Sequence, residues 1–437
     1  MEIPFWILIP FMLMLLCIAL APIIIEKQWE KNLNKFCVSM VLGSVVAVWM
    51  VANNNSENHF MHHLIHQMLY DYVPFIVLLT ALFVVTGGIK VNGDIEATPK
   101  VNTLMMGIGM VLASFMGTTG AAMLLIRPLL ATNSQRKYVT HTILFFIAIV
   151  ANCGGLLTPL GDPPLFLLYL RGAEFTWFFT LLPLWAFVGI SLLVIYYCLD
   201  SYYYKNREPK ENIIRDKTNV EPISLSGLIN LVWLVCVVAS VMFINSSYIP
   251  AMADEHAPFY IKLLREFVLA FIIILSLVTT KKSVRKANNY SWEPIVEVSV
   301  LFIGIFATMT PALIYLNSNA ALMGLIEPWQ FYYSTGVLSS FLDNAPTAVA
   351  LHSVASGLSI AEGVPMIAGI QEALLRAIAT SSVFFGAMTY IGNGPNFMVK
   401  AIAEESGLKM PSFFGYICKF SLIVLLPIYI IAQIIFI

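Results

Sequence analysis

Ser114-Phe-Met-Gly-Thr-Thr-Gly-Ala-Ala122 and Ser340-Phe-Leu-Asp-Asn-Ala-Pro-Thr-Ala348 are the two stretches whose reading decides the fold. Each interrupts an apolar run with residues that break helices. Each is followed by a second interruption: Thr158-Pro-Leu-Gly-Asp-Pro-Pro164 after the first, Thr389-Tyr-Ile-Gly-Asn-Gly-Pro-Asn396 after the second. The first pair is offset by 226 positions (340 − 114) and the second by 231 (389 − 158). A near-constant offset is the mark of one duplicated half. Irregular backbone at membrane depth is tolerated only where protein encloses it or it lines a watered cavity. Paired interruptions in two halves point to the binding site of a secondary transporter.

The composition agrees. Hydrophobic residues make up 59% of the 437 and charged residues 11%, with a mean hydropathy of +0.82. A soluble domain carries about 25% charged residues, so the chain reads as an all-α polytopic membrane protein. A net charge of −1 gives no reason for a nucleic-acid partner. Residues 4–25 are too long for the apolar part of a cleaved signal peptide. Cys17, Cys37, Cys153, Cys198, Cys236 and Cys418 fall in or beside apolar runs without metal-like spacing, which predicts free thiols and no transition metal.

Apolar spans long enough to cross read at 4–25, 36–52, 70–91, 138–170 and 174–198, and again at 223–247, 259–280, 293–315, 369–402 and 411–436. Segments 102–131 and 328–355 are each broken midway and read as re-entrant hairpins. The overlong spans 138–170 and 369–402 break at their Gly-Asp or Gly-Asn turns. This gives a first repeat over 1–200, a cytoplasmic linker over 201–222 and a second repeat over 223–437. Five crossings plus one hairpin per repeat is an odd count, so the second repeat is inverted. With both termini outside, twenty Lys and Arg fall on the inside, against Arg171, Lys262, Arg265 and Arg376 outside. The positive-inside bias sets that orientation.

Asp162 and Asp343 are the sharpest candidates. A carboxylate at the centre of a membrane helix costs about 2.5–3.5 kcal/mol on insertion scales, so such residues usually face a pathway. With hydroxyls and freed carbonyls they form a hard oxygen set suited to a small cation. The bland alternative is that each Asp caps a half-helix, with Pro163 and Pro164 in the first turn of one. The expected ligands are Thr118, Thr119, Thr158, Asn344, Thr347, Thr389, Asn393 and Asn396. Gly117, Gly120, Gly161, Gly392 and Gly394, with Pro163, Pro346 and Pro395, are expected to shape the backbone or act as hinges. The first hairpin tip should face the first break and the second tip the second break, giving two half-sites with one carboxylate each. A carboxylate that holds either a proton or a cation is the simplest basis for exchange.

Weaker features have plainer readings. His59, His62, His63 and His66 read as a solvated amphipathic turn rather than a metal site. Glu297 reads as an interfacial carboxylate, Arg127 as an anchor at the hairpin's end, and His141 and His352 as packed, hydrogen-bonded histidines.

At these motifs the chain resembles the ion transporter superfamily. That group includes NhaD-type sodium/proton antiporters, arsenite-efflux permeases, citrate–metal symporters and divalent anion/sodium symporters. Leu342-Asp343-Asn344-Ala345-Pro346-Thr347 is similar to the Asp-Asn-x-Pro signature of the NhaD and arsenite branch, and Thr158–Pro164 to its Gly-Asp motif. The resemblance implies a homodimer, a scaffold domain, an elevator-type transport domain carrying both hairpins, and ion sites at the tips and breaks. Asp343 at a tip replaces the Ser-Asn-Thr of the divalent anion symporters, which counts against a bare dicarboxylate.

The leading expectation is a sodium (or lithium)/proton antiporter of a bacterial inner membrane, with Asp162 and Asp343 alternating between sodium and proton and no cofactor. A citrate or metal–citrate symporter is the alternative, and arsenite efflux the third. A membrane enzyme is disfavoured because the sequence holds no His-Glu-x-x-His and no Gly-x-Ser-x-Gly. Two opposed hairpins favour alternating access over a channel.

Overall fold

Long apolar runs make the crossing helices, and clustered Gly, Pro, Asp and Asn set where the broken ones stop. The computed structural model describes residues 3–56, 58–218, 220–254, 256–359 and 363–437. Its first helices are α1 (Ile9–Ile24), α2 (Asn32–Ala52) and α3 (Val73–Thr86), the last continuing Phe60–His66 through a π-helical turn, Gln67–Tyr72. Strand β1 (Lys90–Asp94) leads to the first hairpin, α4 (Pro99–Met116) and α5 (Thr118–Thr132), joined at Gly117. Thr98 starts α4 by accepting a hydrogen bond from Val101 N, and Pro99 sits where no N–H is needed. The hairpin returns to the end it left: Asn102 and Asn133 close its base with reciprocal amide bonds of 2.9 Å.

Next come α6 (Thr140–Ile149), a 3-10 turn Cys153–Leu157, the first break, α7 (Pro163–Leu170) and α8 (Leu182–Asn206). Strand β2 (Glu221–Ser226) precedes α9 (Ile229–Phe243), α10 (Leu264–Thr279) and α11 (Glu293–Ser318). The second hairpin is α12 (Pro328–Phe341) and α13 (Asn344–Ser356); Glu327 and Gln330 form a capping box at its start. Helix α14 (Glu372–Phe384), the second break, α15 (Gly394–Glu405) and α16 (Leu426–Phe436) complete the chain.

Among the described residues seven helical stretches are long and apolar enough to cross a membrane: Phe5–Pro22, Asn32–Ala52, Phe60–Thr86, Thr140–Leu157, Phe175–Asn206, Glu293–Ser318 and Phe413–Phe436. Three of the ten expected spans are cut shorter. Span 223–247 opens as β2, leaving a helix of 15 residues, and 259–280 is nicked at Leu263, leaving 16. Span 369–402 breaks in its middle. The segment 201–222 is also more ordered than a tether. It continues α8 to Asn206, forms a helix Lys210–Thr218, and pairs β2 antiparallel with β1 (Lys90 with Ser226). Asp216 on that helix accepts from Ala97 N at 2.7 Å.

The helices pack as two bodies. In one, α2 crosses α11 closely because small residues meet: Gly43 faces Ala307 and Gly304 faces Ser39. α1 joins α11, while α3, α9 and α10 pack together. The other body holds both hairpins, both broken helices, α8 and α16. The bodies meet where α13 lies on α11 and where α5 and α7 approach α3. Arg171, Lys262, Arg265 and Arg376 share one end of the bundle, through Arg171–Asp71 (3.7 Å), Lys262 over the Tyr70 ring, Arg265 over the Tyr169 ring, and Arg376–Glu372 beside Trp177. Glu297, at the opposite end and half exposed, pairs with Lys35 at 2.6 Å, as an interfacial carboxylate would.

Candidate functional site

Both breaks are built by the same device. Thr158 Oγ1 donates to Ser114 O and accepts from Leu160 N (3.1 Å). Thr389 Oγ1 donates to Ser340 O (2.5 Å) and accepts from Ile391 N (3.2 Å). Each threonine therefore ties its break to the hairpin arm in front of it, which spends the hydroxyl expected to bind an ion. Each break exposes a residue at the N-cap position of the next half-helix: Asp162 before α7 and Asn393 before α15. Neither side chain caps its own helix, so both are free to point elsewhere.

They point at each other. Asp162 is 1% exposed. Its Oδ1 accepts from Thr118 Oγ1 at 2.7 Å and from Asn393 Nδ2 at 3.1 Å; its Oδ2 accepts from Asn344 Nδ2 at 2.5 Å. The first tip, the second tip and the second break thus all donate to the carboxylate of the first break. Thr118 N also donates to Gly161 O at 2.8 Å, docking the first tip on the first break. The expected two half-sites are one site: the second tip reaches across to Asp162 as well.

A chain of amides fixes which atoms face the carboxylate. Asn396 Nδ2 donates to Gly386 O (2.7 Å) and Thr389 O (2.9 Å), which leaves its Oδ1 to accept from Asn152 Nδ2 at 2.6 Å. Asn152 Nδ2 is held by Ile147 O as well (2.9 Å), so its Oδ1 faces Asn393 Nδ2 at 3.2 Å. Asn393 therefore presents N–H to Asp162. Carbonyl oxygens that can only accept set this order. Asn152 escaped the sequence reading; its signal was a lone amide directly after the apolar run 143–151, ten residues before Asp162.

The other candidates divide. Asp343 is half-buried and caps α13, its side chain accepting from Ala345 N at 3.0 Å. The capping alternative thus describes Asp343 and fails for Asp162. Thr347 Oγ1 bonds back to Asp343 O within the same helix turn (2.9 Å). Thr119 lines a cavity of about 90 Å³ between the first tip and the ends of α3 and α11, with Gly117, Gly120, Gly161 and Pro163. Gly117 turns the tip with φ +81°, a conformation that L side chains rarely adopt. At Gly161 a Cβ would come within 1.9 Å of Gly155 O. Gly392 approaches Gly386 O, whereas a side chain at Gly394 would meet nothing, so no contact requires glycine there. Pro163 and Pro395 lie in the first turns of α7 and α15, and Pro346 is buried in that of α13.

Among the described residues no Lys, Arg or His is ion-paired with Asp162, and no cluster of His, Cys, Asp and Glu could hold a metal ion. His62 and His66 lie with ring centroids 6.2 Å apart in the helical turn. An ionised carboxylate only accepts hydrogen bonds, and three neutral donors offset part of its desolvation cost. The remaining imbalance favours a cation or a proton beside it.

The multi-pass membrane bundle and the family match together support a secondary transporter. Compared with known families, the whole chain, residues 1–437, matches CitMHS_2, described as putative citrate transport, and the protein belongs to that family. No curated protein matches the chain.

Proposed function

We propose that this protein carries a citrate-class anion across the cytoplasmic membrane, coupled to a cation or proton held at Asp162. The supporting observation is the environment of Asp162: a buried carboxylate ringed by Thr118, Asn344 and Asn393, with no ion-paired cationic side chain among the described residues. Such a site offers a bare tricarboxylate no counter-charge, so the cargo enters as a cation complex. The family match supplies the citrate class. The body that holds both hairpins and both breaks moves against the other, as an elevator in a homodimer, with the termini outside as the charge bias requires.

A second reading is sodium (or lithium)/proton exchange at the same carboxylate. The same lack of a fixed positive group favours it, because exchange of small cations needs no anion seat.

Transport in everted vesicles and proteoliposomes separates the two. Labelled citrate uptake that needs Mg²⁺ or another divalent ion, and is lost in Asp162→Asn, is the expected result. Collapse of a preset ΔpH by NaCl or LiCl, without citrate transport, would establish the exchanger instead. Either activity persisting at full rate in inserted Asp162→Asn protein would remove Asp162 from the mechanism.

A further inference from the structure

At the end of the bundle opposite Arg171 and Arg265 lies a second cavity, of about 380 Å³. It sits between the last turns of α5 and α15. Its polar lining is Arg127, Arg136, Asn133, Ser134 and Ser406, over an apolar floor that includes Leu130 and Ile402, and no Asp or Glu lines it. Cavities of roughly 300–1,000 Å³ are the size that takes small molecules.

The two arginines differ. Arg136 is almost wholly buried and grips Asp200 with two hydrogen bonds (2.7 and 3.0 Å), so most of its charge is already met. Its Nε nonetheless makes no hydrogen bond, Glu208 lying 4.0 Å away. Arg127 makes no ion pair or hydrogen bond among the described residues, and its Nε is buried without a partner. An uncompensated, half-buried guanidinium is costly to maintain, and guanidinium geometry suits carboxylate and phosphate.

We propose that this cavity binds a small, free multivalent anion, a di- or tricarboxylate or inorganic phosphate, with Arg127 as its principal ligand. The seat is mechanically tied to Asp162. Helix α5 begins at Thr118, which donates to Asp162, and ends at the cavity; α15 begins one residue after Asn393, which also donates to Asp162, and ends there too. Arg127 is nine residues from Thr118, about 13 Å along the helix. An anion between the two far ends braces the two helices whose near ends hold the coupling carboxylate. The charge bias puts this end in the cytoplasm, where carboxylate and phosphate anions are at hand.

The test is thermal unfolding of the purified full-length protein in neutral detergent, titrated with citrate and separately with inorganic phosphate at constant ionic strength. Both anions are expected to raise the unfolding midpoint of the wild type. Arg127→Gln should need about tenfold or more anion for the same shift, and Arg127→Lys should recover part of it. Asp162→Asn should lose transport yet retain the response, which separates this seat from the central site: full transport with retained anion stabilisation in that variant would sink the proposed function alone. The anion seat is overturned if Arg127→Gln titrates like the wild type. It is equally overturned if only phosphatidylglycerol, and neither free anion, gives an Arg127-dependent shift.

Discussion

The first and second breaks share one backbone design and differ in one atom's chemistry. Adding 231 to Asp162 gives Asn393, and adding 226 to Thr118 gives Asn344. These counterparts are also physical neighbours: Asn393 donates to Asp162, and Thr118 and Asn344 approach the same carboxylate from the two tips. The threonine clasps Thr158–Ser114 and Thr389–Ser340 hold both breaks in the same way. What differs is that one break carries a charge and the other an amide oriented to support it. Geometry is therefore shared between the halves, while charge belongs to one.

That division can be attacked directly. The largest effect is expected from Asp162→Asn, which removes the only carboxylate in the ring of donors and should lower coupled transport at least a hundredfold. Adding Asn393→Asp to it moves the charge to the counterpart position. If the halves are geometrically equivalent, part of the lost transport returns in vesicle flux assays. No recovery would show that the amide chain through Asn152 and Asn396 makes the second break unable to hold a charge.

A smaller loss is expected from removing one donor. A hydrogen bond to a charged group is worth about 1.5–3 kcal/mol, so Asn344→Ala and Thr118→Val should each weaken ion-dependent transport by about tenfold to a hundredfold. Measured as the half-saturating ion concentration, similar losses would support a carboxylate held equally by both tips. A loss confined to Asn344→Ala would show that its short 2.5 Å contact dominates.

The smallest effect separates the two aspartates. Asp343→Asn keeps a side-chain oxygen that can cap α13 and should leave both thermal midpoint and transport near wild type. Asp343→Ala removes the cap and should cost about 0.5–2 kcal/mol of stability. Transport abolished in Asp343→Asn, in protein that is inserted and stable, would make Asp343 a second ion ligand after all.

Much of this was legible because membrane interiors punish irregular sequence. Gly117, Asp162, Asp343 and Asn393 stand out since Gly, Asp and Asn are rare inside apolar runs, and each marks a real interruption. The pairing of the interruptions was not legible. Sequence neighbours suggested that each tip serves its own break, but Asn344 crosses between halves by packing that no local pattern encodes. Thr158 and Thr389 were visible as polar residues, yet their hydroxyls spend themselves on backbone carbonyls freed by the hairpins. Asn152 was hidden because a single amide directly after an apolar run carries no spacing signal. Residues 201–222 read simply as a linker because polar composition does not reveal that β2 pairs Lys90 with Ser226, far back in the chain.

That strand pairing has a consequence for how the chain may be cut. β1 and β2 hold the approach to the first hairpin against the start of the second half, and Asp216 fastens the intervening helix to Ala97. The covalent link across Arg207–Lys210 is thus not the only thing keeping the halves in register. Two co-expressed polypeptides, divided near Pro209, carry their own stitching and should find each other in the membrane.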